Sequence, residues 1–458
     1  MKTKYFSILL ASILLIPTFA ASHEDQKTEN AIDDIANAAL HQGPIAGISI
    51  AVVRGNRTIL LKGYGKSSLE LETSATPDTV YHIDSITKNL TSAAVIQLAE
   101  QHKLALGDLV EKYVPEIHAI SSSATVQSLM NHTSGIPDFT DLGPKSENIE
   151  AISFGQKQFL ASIRGEKPMF LAGQLWRYNN SGFYLLGMII EKVTGETYAD
   201  YMLNHIFKPL GMESTRYCDG RSIVKNRAAG HMVSKGQLLN ADPMTWNTPF
   251  SSGGICSTVS DLIIWQRALN QGRIISANGL ALMRAPTVLS DGTAIDYGLG
   301  TRRGDLQGHA IFGHTGNGGG FNNVLEYYPA DDLTIAVLTN SEGPVSALTI
   351  AGRVARAVLG IAPTAKIDQP LSEAEIASFS GKFDSAEGPA ILFGEQGHIR
   401  VKFAENGPSL PLQYLGDGAF VAGPGTISKC YMKNGRSQGA AIYTEGLFMN
   451  ATWREAGN

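Results

Sequence analysis

The sequence is poor in the residues that build disulfide frameworks and metal sites. Only three cysteines occur in 458 residues, namely Cys218, Cys256 and Cys430. They allow one disulfide and leave one thiol over, so a small fold stapled by several disulfides is excluded. Their wide spacing matches no zinc pattern, and no pair of histidines has metalloprotease spacing. The sequence therefore predicts neither a metal site nor a bound cofactor.

The chain also lacks a strong excess of charge of either sign. Its formal net charge is -5, with 17% charged and 43% hydrophobic residues. A mildly acidic balance gives no electrostatic reason to expect a nucleic-acid partner. The composition is that of an ordinary globular protein, long enough for two or three domains with cores of their own.

Long hydrophobic runs are missing as well, with one short exception at the beginning of the chain. Lys2 and Lys4 precede an apolar run from Phe6 to Ile16, and small residues follow up to Ser22. The run is too short to span a membrane, and this order of basic, apolar and small residues is typical of a secretory signal peptide. We therefore expect residues 1–21 to be cleaved and the mature chain to be secreted or periplasmic; an uncleaved anchor is the alternative.

The order of β-rich and helical segments predicts an α+β fold. Two β-rich runs, 47–53 and 58–63, come first, and a mostly helical middle follows up to about residue 230. Further β-rich runs lie at 309–315, 321–328 and 333–339, ahead of a last helix at 345–359. Short turns make antiparallel neighbours of such runs. We therefore expect an antiparallel sheet flanked by helices, with the helical middle as an insertion domain.

The carboxy-terminal part has a different character. Residues 361–371 contain Pro363 and Pro370 and are interpreted as a linker that follows a domain at 22–360. Short alternating runs within 372–458 predict a small β domain. No cluster of residues with catalytic chemistry stands out in it.

One stretch, Tyr81 to Leu90, joins a strand-like start to a polar turn and a helix. Ser85 is expected at the start of that helix and Lys88 one turn further on. Residues three apart share a helix face, so the ammonium nitrogen and the hydroxyl can meet. The Ser85 N–H also lies at the positive end of the helix dipole, which suits a nucleophile whose attack generates an oxyanion. The same spacing recurs at Ser222 and Lys225, so the pattern alone is weak.

Two further segments carry chemistry that complements a serine nucleophile. Tyr178 stands two residues before Asn180 and just ahead of an apolar helix. The triplet 314–316 (HTG) ends a predicted strand and opens a run of glycines. Each segment alone is more often structural: a buried tyrosine, a strand histidine or a loose turn. Together, and in this order, they indicate a catalytic site.

With Ser-x-x-Lys at 85–88, Tyr-x-Asn at 178–180 and His-Thr-Gly at 314–316, the chain resembles the serine β-lactamase and penicillin-binding superfamily. The resemblance covers roughly residues 30 to 360 and is greatest to class C β-lactamases, D-Ala-D-Ala carboxypeptidases, D-aminopeptidases and related esterases. It implies the β-lactamase/transpeptidase-like fold, and a lipocalin-like carboxy-terminal domain such as some members carry. The Ser-Asp-Asn motif and catalytic glutamate of class A enzymes are not recognisable.

The resemblance implies roles for individual residues. Ser85 is the nucleophile, and Lys88 and Tyr178 carry protons; which of the two acts as base is open. The N–H groups of Ser85 and Asn317 form the oxyanion hole. The substrate-binding and oxyanion residues are Asn180, His314, Thr315, Gly316 and Asn317.

His314 departs from the lysine usual in β-lactamases, and carboxypeptidases of this branch often carry histidine there. This favours peptides with D-residues as substrates, as for a DD-carboxypeptidase or D-aminopeptidase, with cell-wall peptides as one source. A substrate carboxylate needs a cation, for which Arg302 and Arg303 are candidates, although a solvated face is the commoner role of such arginines. A carboxylesterase or weak β-lactamase with the same residues stays open. So does a penicillin-binding sensor with little turnover.

Overall fold

The computed structural model describes most of the chain. The described residues are 23–142, 155–241, 249–362, 368–384, 389–423 and 425–454. The expected signal peptide and part of the expected linker lie outside these ranges. Among the described residues, no helix combines the length and the apolar character that a membrane crossing requires.

Helices form the beginning and much of the middle of the described chain. They are α1 (His23–Gln42), α2 (Thr87–Glu100), α3 (Val126–Met130), α4 (Gln156–Ile163), α5 (Asn180–Thr194), α6 (Tyr198–Met202), α7 (Lys208–Leu210), α8 (Phe250–Gly253), α9 (Val259–Asn270), α10 (Ala277–Arg284), α11 (Ala347–Leu359) and α12 (Glu373–Phe379). Their ends follow local signals. The Thr258 side chain accepts from the Asp261 N–H at the start of α9, and Gly360 ends α11 with φ of +68°.

The strands are mostly short and antiparallel. They are β1 (Gly47–Arg54), β2 (Arg57–Ser68), β3 (Thr73–Ser74), β4 (Tyr81–His82), β5 (Arg216–Tyr217), β6 (His231–Ser234), β7 (Gln237–Asn240), β8 (Ile255–Ser257), β9 (Thr287–Val288), β10 (Ala294–Ile295), β11 (Arg302–Leu306), β12 (His309–Gly318), β13 (Phe321–Tyr328), β14 (Leu333–Thr339), β15 (Ser341–Glu342), β16 (Gly381–Asp384), β17 (Ala390–Glu395), β18 (His398–Lys402), β19 (Ser409–Gly416), β20 (Ala419–Gly423), β21 (Thr426–Lys433), β22 (Arg436–Thr444) and β23 (Leu447–Arg454).

The central sheet has the strand order β11-β12-β13-β14-β1-β2-β3. Side chains alternate between its two faces, as in any strand. Ile48, Ile50 and Val52 of β1 belong to a core that includes α1 and α11. Ala51 and Val53 belong to a second core with α2, α5 and α9. The sheet thus lies between two helical layers, and the predicted α+β sheet flanked by helices is confirmed.

Most predicted elements recur with small shifts of their ends. The three late strands are β12, β13 and β14, and the last helix of the sheet domain is α11. The first helix, expected from Ile32 to Ala39, is α1 and begins at His23. Its first turns read HEDQKTEN and carry no apolar periodicity, so the sequence pattern shows only the half that packs on the sheet.

Strands β16 to β23 form a closed antiparallel ring. Each pairs with the next, and β16 also pairs with β23. Ile399, Leu412 and Phe420 lie in its core with Phe379 of α12. The ring joins the central sheet where β23 pairs with β11. The division into domains at 22–360 and 372–458 stays a prediction, because both parts share one continuous sheet.

A further core packs the ring against the sheet domain. Trp176, Tyr297 and Phe448 meet there, and the indole N–H of Trp453 donates to the Trp176 carbonyl oxygen at 2.7 Å. Through this contact, the ring of strands β16 to β23 supports the segment that leads into α5.

Candidate active site

Ser85 lies where a strand turns into a helix. A 3₁₀ turn at Asp84–Ile86 leads from β4, which pairs with β8, into α2. Asp84 has φ of +47°, a left-handed conformation that is costly for a residue with a side chain. Its buried carboxylate lies 2.5 Å from His82 Nδ1 and accepts from Asn323 Nδ2 at 3.3 Å. These contacts hold the turn, and with it the Ser85 hydroxyl, at the start of the helix.

Lys88 lies beside Ser85 although its side chain is fully buried. Its Nζ donates to Ser85 Oγ at 3.0 Å, to Asn180 Oδ1 at 2.8 Å and to the Ser252 carbonyl oxygen at 2.8 Å. These three acceptors match the three protons of an ammonium group. A buried charge without partners would be costly. The amine therefore keeps its three acceptors, and this fixes it within reach of the Ser85 hydroxyl.

The segment ahead of α5 adds Tyr178 and Asn180 to this cluster. The Asn179 side chain accepts from the Gly182 N–H at 2.6 Å and caps α5. Asn180, the first residue of the helix, directs its Oδ1 to Lys88. The Tyr178 ring centroid lies 4.8 Å from Lys88 Nζ, within the range of a cation–π contact. An alcohol, an amine and a phenol therefore lie together.

Asp138 anchors the start of α5 from another segment. Its buried carboxylate accepts from the N–H groups of Asn180 and Thr140. Burial raises the pKa of Asp138, while the bonds from Thr140 and Asn180 and the charge of Lys88 oppose the rise. A carboxylate at the first turn also complements the dipole of α5.

Strand β12 brings the triplet 314–316 close to the Ser85 turn. A Cβ atom on Gly316 would lie 2.1 Å from the Ile83 carbonyl oxygen, so only glycine lets the strand pass at this distance. Thr315 and Asn317 flank this contact on the same strand. The backbone of Asn317 therefore lies next to the turn that carries the hydroxyl.

His314 is 1% exposed, and its ring is engaged inside the protein. Nδ1 lies 2.7 Å from the Thr315 carbonyl oxygen, and Nε2 lies 3.1 Å from the Tyr297 hydroxyl. Burial lowers the pKa of His314 well below its ordinary value, and Arg302 and Lys88 lower it further. Both ring nitrogens of His314 therefore have partners within the protein.

Arg302 joins the cluster from behind Tyr178. Its guanidinium carbon lies 5.4 Å from the Tyr178 ring centroid, and the side chain is 6% exposed. Its Nη1 donates to the carbonyl oxygens of Phe448 and Met449 in β23. The ring of strands β16 to β23 thus holds the Arg302 guanidinium against the Tyr178 side chain.

Arg303 does not join the cluster. Neighbours on a strand point to opposite faces, so its side chain leaves β11 away from Arg302. Its Nε lies 3.4 Å from Asp296 Oδ1, and its guanidinium lies 5.5 Å from the Phe312 ring centroid.

His132 and Tyr297 belong to the site but have no motif that marks them as functional. The Tyr297 hydroxyl lies 3.0 Å from His132 Nε2 and 3.1 Å from His314 Nε2. Burial lowers the pKa of His132, and the charge of Lys88 adds to this effect. Burial raises the pKa of Tyr297 well above its ordinary value. The sequence signal for His132 is its place in the segment 131–138, which also resembles the serine β-lactamase and penicillin-binding superfamily.

A disulfide joins Cys218 to Cys256. Cys256 lies in β8, opposite His82 of β4, so the bond braces the strand that leads to the candidate nucleophile. Within the described ranges, no group of three or more side chains is arranged to hold a metal ion.

A family model described as Beta-lactamase matches residues 32–359 of the chain. The chain belongs to the beta-lactamase family. This membership confirms the resemblance to the serine β-lactamase and penicillin-binding superfamily. The matched range contains the Ser85, Tyr178 and His314 segments.

Relatives and solved structures extend the comparison. Protein flp of Staphylococcus aureus (strain MW2) is 28% identical over 322 residues, which are 68% of this chain and 63% of that protein. The match thus spans less than two thirds of the length of this relative. A D-stereospecific amidohydrolase from Streptomyces sp. is 25% identical with a TM-score of 0.63 over 73% of this chain and 99% of its own.

The octameric penicillin-binding protein homologue from Pyrococcus abyssi shares the fold. It has a TM-score of 0.64 at 24% identity, over 92% of this chain and 99% of its own. Because 92% of this chain is covered, the similarity of fold extends beyond residues 32–359.

Proposed function

We propose that this chain is a secreted serine hydrolase that acts through an acyl-enzyme on amides or peptides with D-residues. The observation that carries the proposal is the 3.0 Å contact between Lys88 Nζ and Ser85 Oγ. A serine hydroxyl becomes a useful nucleophile when a base lies within hydrogen-bond reach. Family membership and the neighbouring phenol of Tyr178 support the same assignment.

In acylation, Ser85 Oγ attacks the substrate carbonyl carbon and loses its proton. The neutral form of Lys88 is the base in this step: a lone pair faces Oγ in place of the third N–H, and the two other N–H groups keep donating to Asn180 and Ser252. Lys88 passes the proton that it accepts through the Tyr178 hydroxyl to the leaving nitrogen as the C–N bond breaks. Water then attacks the ester and gives a proton to Lys88, and this proton returns to Ser85 Oγ as the acyl C–O bond breaks and the acid departs.

The proposed oxyanion hole consists of the N–H groups of Ser85 and Asn317. Two features support it. The Ser85 N–H lies in the 3₁₀ turn that runs into the start of α2, where the helix dipole favours negative charge. The close approach at Gly316 brings β12 against the Ser85 turn. Donors fixed in place before the reaction stabilise the developing charge without reorganisation.

For Arg302 we propose a place behind Tyr178 instead of contact with a substrate carboxylate. Its side chain is 6% exposed, and Nη1 is taken by two carbonyl oxygens of β23. With its guanidinium carbon 5.4 Å from the ring centroid, Arg302 packs against the Tyr178 ring and holds it in place. Arg303 has no part in this proposal.

Support for D-configured substrates comes from the amidohydrolase described as D-stereospecific, at 25% identity. The test is kinetics on matched D- and L-amino acid amides, a D-Ala-D-Ala peptide, a p-nitrophenyl ester and a penicillin. We expect faster turnover of D- than of L-amides and loss of all turnover in Ser85→Ala. Ser222→Ala is the matched control, because Ser222 begins the second Ser-x-x-Lys sequence and is exposed.

Three outcomes would contradict parts of this proposal. Ester cleavage without amide or peptide cleavage would make the chain a carboxylesterase. A long-lived penicillin adduct without turnover would make it a penicillin-binding sensor. Full activity in Ser85→Ala would remove Ser85 as the nucleophile.

Secretion is supported by the disulfide between Cys218 and Cys256, because disulfides persist mainly in oxidising compartments. Amino-terminal sequencing of the protein from the periplasm or medium should start near residue 22. Recovery of the intact amino terminus in the membrane fraction would contradict cleavage.

A further inference from the structure

His132 holds the chain on both sides of Tyr178. Its carbonyl oxygen accepts from the Arg177 N–H at 3.0 Å, and its Nδ1 accepts from the Asn179 N–H at 3.1 Å. The rings of His132 and Tyr178 lie 4.5 Å apart. His132 itself has φ of +62°, in the left-handed region. The position of the phenol therefore depends on a residue from a separate segment.

A continuous line of hydrogen bonds runs from His132 to β12. His132 Nε2 lies 3.0 Å from the Tyr297 hydroxyl, which lies 3.1 Å from His314 Nε2. His314 Nδ1 lies 2.7 Å from the Thr315 carbonyl oxygen. None of the three side chains is more than 1% exposed. We call the line from Asn179 N–H through His132, Tyr297 and His314 to Thr315 O the histidine chain.

The two ends of the histidine chain fix the direction of every bond within it. The Asn179 N–H can only donate, so His132 Nδ1 accepts and Nε2 carries the proton. Nε2 then donates to the Tyr297 oxygen, and the Tyr297 hydroxyl donates to His314 Nε2. His314 Nδ1 completes the line by donating to a carbonyl oxygen, which can only accept. A second proton on His132 would set its Nδ1–H against the Asn179 N–H, and a second proton on His314 would leave the Tyr297 hydroxyl proton without its acceptor in the histidine chain. Both rings are therefore neutral and in opposite tautomers.

We propose that His132 and Tyr297 are positioning residues that lock His314 in a neutral state and hold Tyr178 over Lys88 for proton transfer. The proposal rests on the proposed function, because it assigns a purpose to the position of Tyr178. It also means that position 314 supplies a neutral ring where a lysine would supply a positive charge. The β12 strand and the Tyr178 segment are thereby joined by side chains of buried residues.

The charged groups around the histidine chain agree with its neutral state. Lys88 reaches it from α2 and Arg302 from β11, and each disfavours a positive charge on the rings. Tyr178 lies between these cations, with its ring centroid 6.3 Å from that of His314. Each cation therefore opposes the second proton that the bond directions already exclude.

Measuring the tautomers of His132 and His314 tests the bond directions in the histidine chain and needs no substrate. Ring-nitrogen NMR of the full-length chain labelled with ¹⁵N-histidine reads them directly, and His132→Asn and His314→Asn variants assign the signals. We expect a proton on Nε2 of His132 and on Nδ1 of His314, unchanged from about pH 5.5 to 8.5, where an ordinary histidine titrates. The same tautomer in both rings, or titration of either in that range, would overturn the proposal.

Kinetics test the positioning role. Tyr297→Phe removes the central hydroxyl, and we expect kcat to fall about tenfold with KM nearly unchanged, because a buried hydrogen-bond line is cut without loss of a substrate contact. Tyr198→Phe is the matched control, since Tyr198 is also fully buried and its hydroxyl bonds Thr91 at 2.7 Å. Equal losses of kcat in the two variants would reduce Tyr297 to a structural residue and overturn the proposal.

A conservative variant separates position from chemistry. His132→Asn keeps an acceptor near Nδ1 and tolerates positive φ, whereas His132→Ala keeps neither. We expect the asparagine variant to recover part of the kcat that alanine loses; no recovery would contradict the role of the Asn179 bond. A wild-type chain without hydrolase activity would refute the proposed function, while the NMR result would still decide whether the histidine chain exists.

Discussion

Replacing Glu326 by glutamine is expected to stabilise the folded protein at neutral pH. Glu326 lies on β13 and is fully buried. Burial raises its pKa from 4.5 to about 8, and nearby Glu445 adds to the rise. The Tyr328 hydroxyl donates to Oε2 at 2.9 Å, and this bond and the charge of Arg356 offset only part of the effect. The folded state therefore favours the neutral acid.

The size of the effect follows from which state binds more protons. Above pH 4.5 the unfolded chain gives up the Glu326 proton, whereas the folded chain keeps it up to about pH 8. Stability through this group is thus highest at acid pH and falls as the pH rises. Each pH unit costs about 1.4 kcal/mol, which amounts to about 3 kcal/mol between pH 4.5 and 7. Glutamine has nearly the same shape and no proton to lose, so the cost disappears.

Urea unfolding of wild type and Glu326→Gln at two pH values measures this difference. We expect the variant to gain about 3 kcal/mol in the free energy of unfolding near pH 7 and little near pH 5. Glu116→Gln, at an exposed glutamate, is the control for loss of a charge. An equal difference at both pH values, or a variant less stable near pH 7, would rule out a raised pKa of Glu326 in the folded protein.

Three further changes test the site and its supports. Gly316→Ala should lower kcat/KM about a hundredfold, because β12 would have to move away from Ser85, while Gly107→Ala, where nothing lies within 4 Å of the added Cβ, should be neutral; similar rates for both would contradict the close approach. Trp453→Phe removes the N–H bond of 2.7 Å to the segment ahead of Tyr178 and should lower kcat a few-fold, about the effect of one hydrogen bond; unchanged kcat would show that the β16–β23 strand ring does not support the site. Cys256→Ser opens a disulfide between residues 38 apart and should cost about 4 kcal/mol in urea unfolding; a small loss would contradict a structural role of this bond.

Local patterns and the family resemblance identified most of the residues in the candidate site. Ser85 and Lys88 are three residues apart, so helix geometry alone predicts that they can meet. Tyr178 and Asn180 precede an apolar helix, and the cap at Asn179 fixes where that helix starts. The late strands were also predictable, because short turns leave antiparallel pairing as the simple solution.

Contacts between distant segments could not be derived in this way. Tyr297 meets His132 across 165 residues, and the Ser252 carbonyl oxygen meets Lys88 across 164. Such pairs depend on how layers pack, and no spacing in the sequence encodes them. Whether Arg302 or Arg303 faces the site depends on the register of β11, because a shift by one residue moves each side chain to the other face of the sheet. The burial of His314 likewise depends on which face of β12 it occupies, so the sequence did not predict it.

Intact-protein mass spectrometry with a penicillin measures whether Ser85 is acylated. We expect a mass increase equal to one penicillin on the wild-type chain, with peptide mapping that places it on Ser85. We expect no increase for Ser85→Ala and the wild-type increase for Ser222→Ala. An adduct that maps to another residue, or one that persists in Ser85→Ala, would exclude Ser85 as the nucleophile.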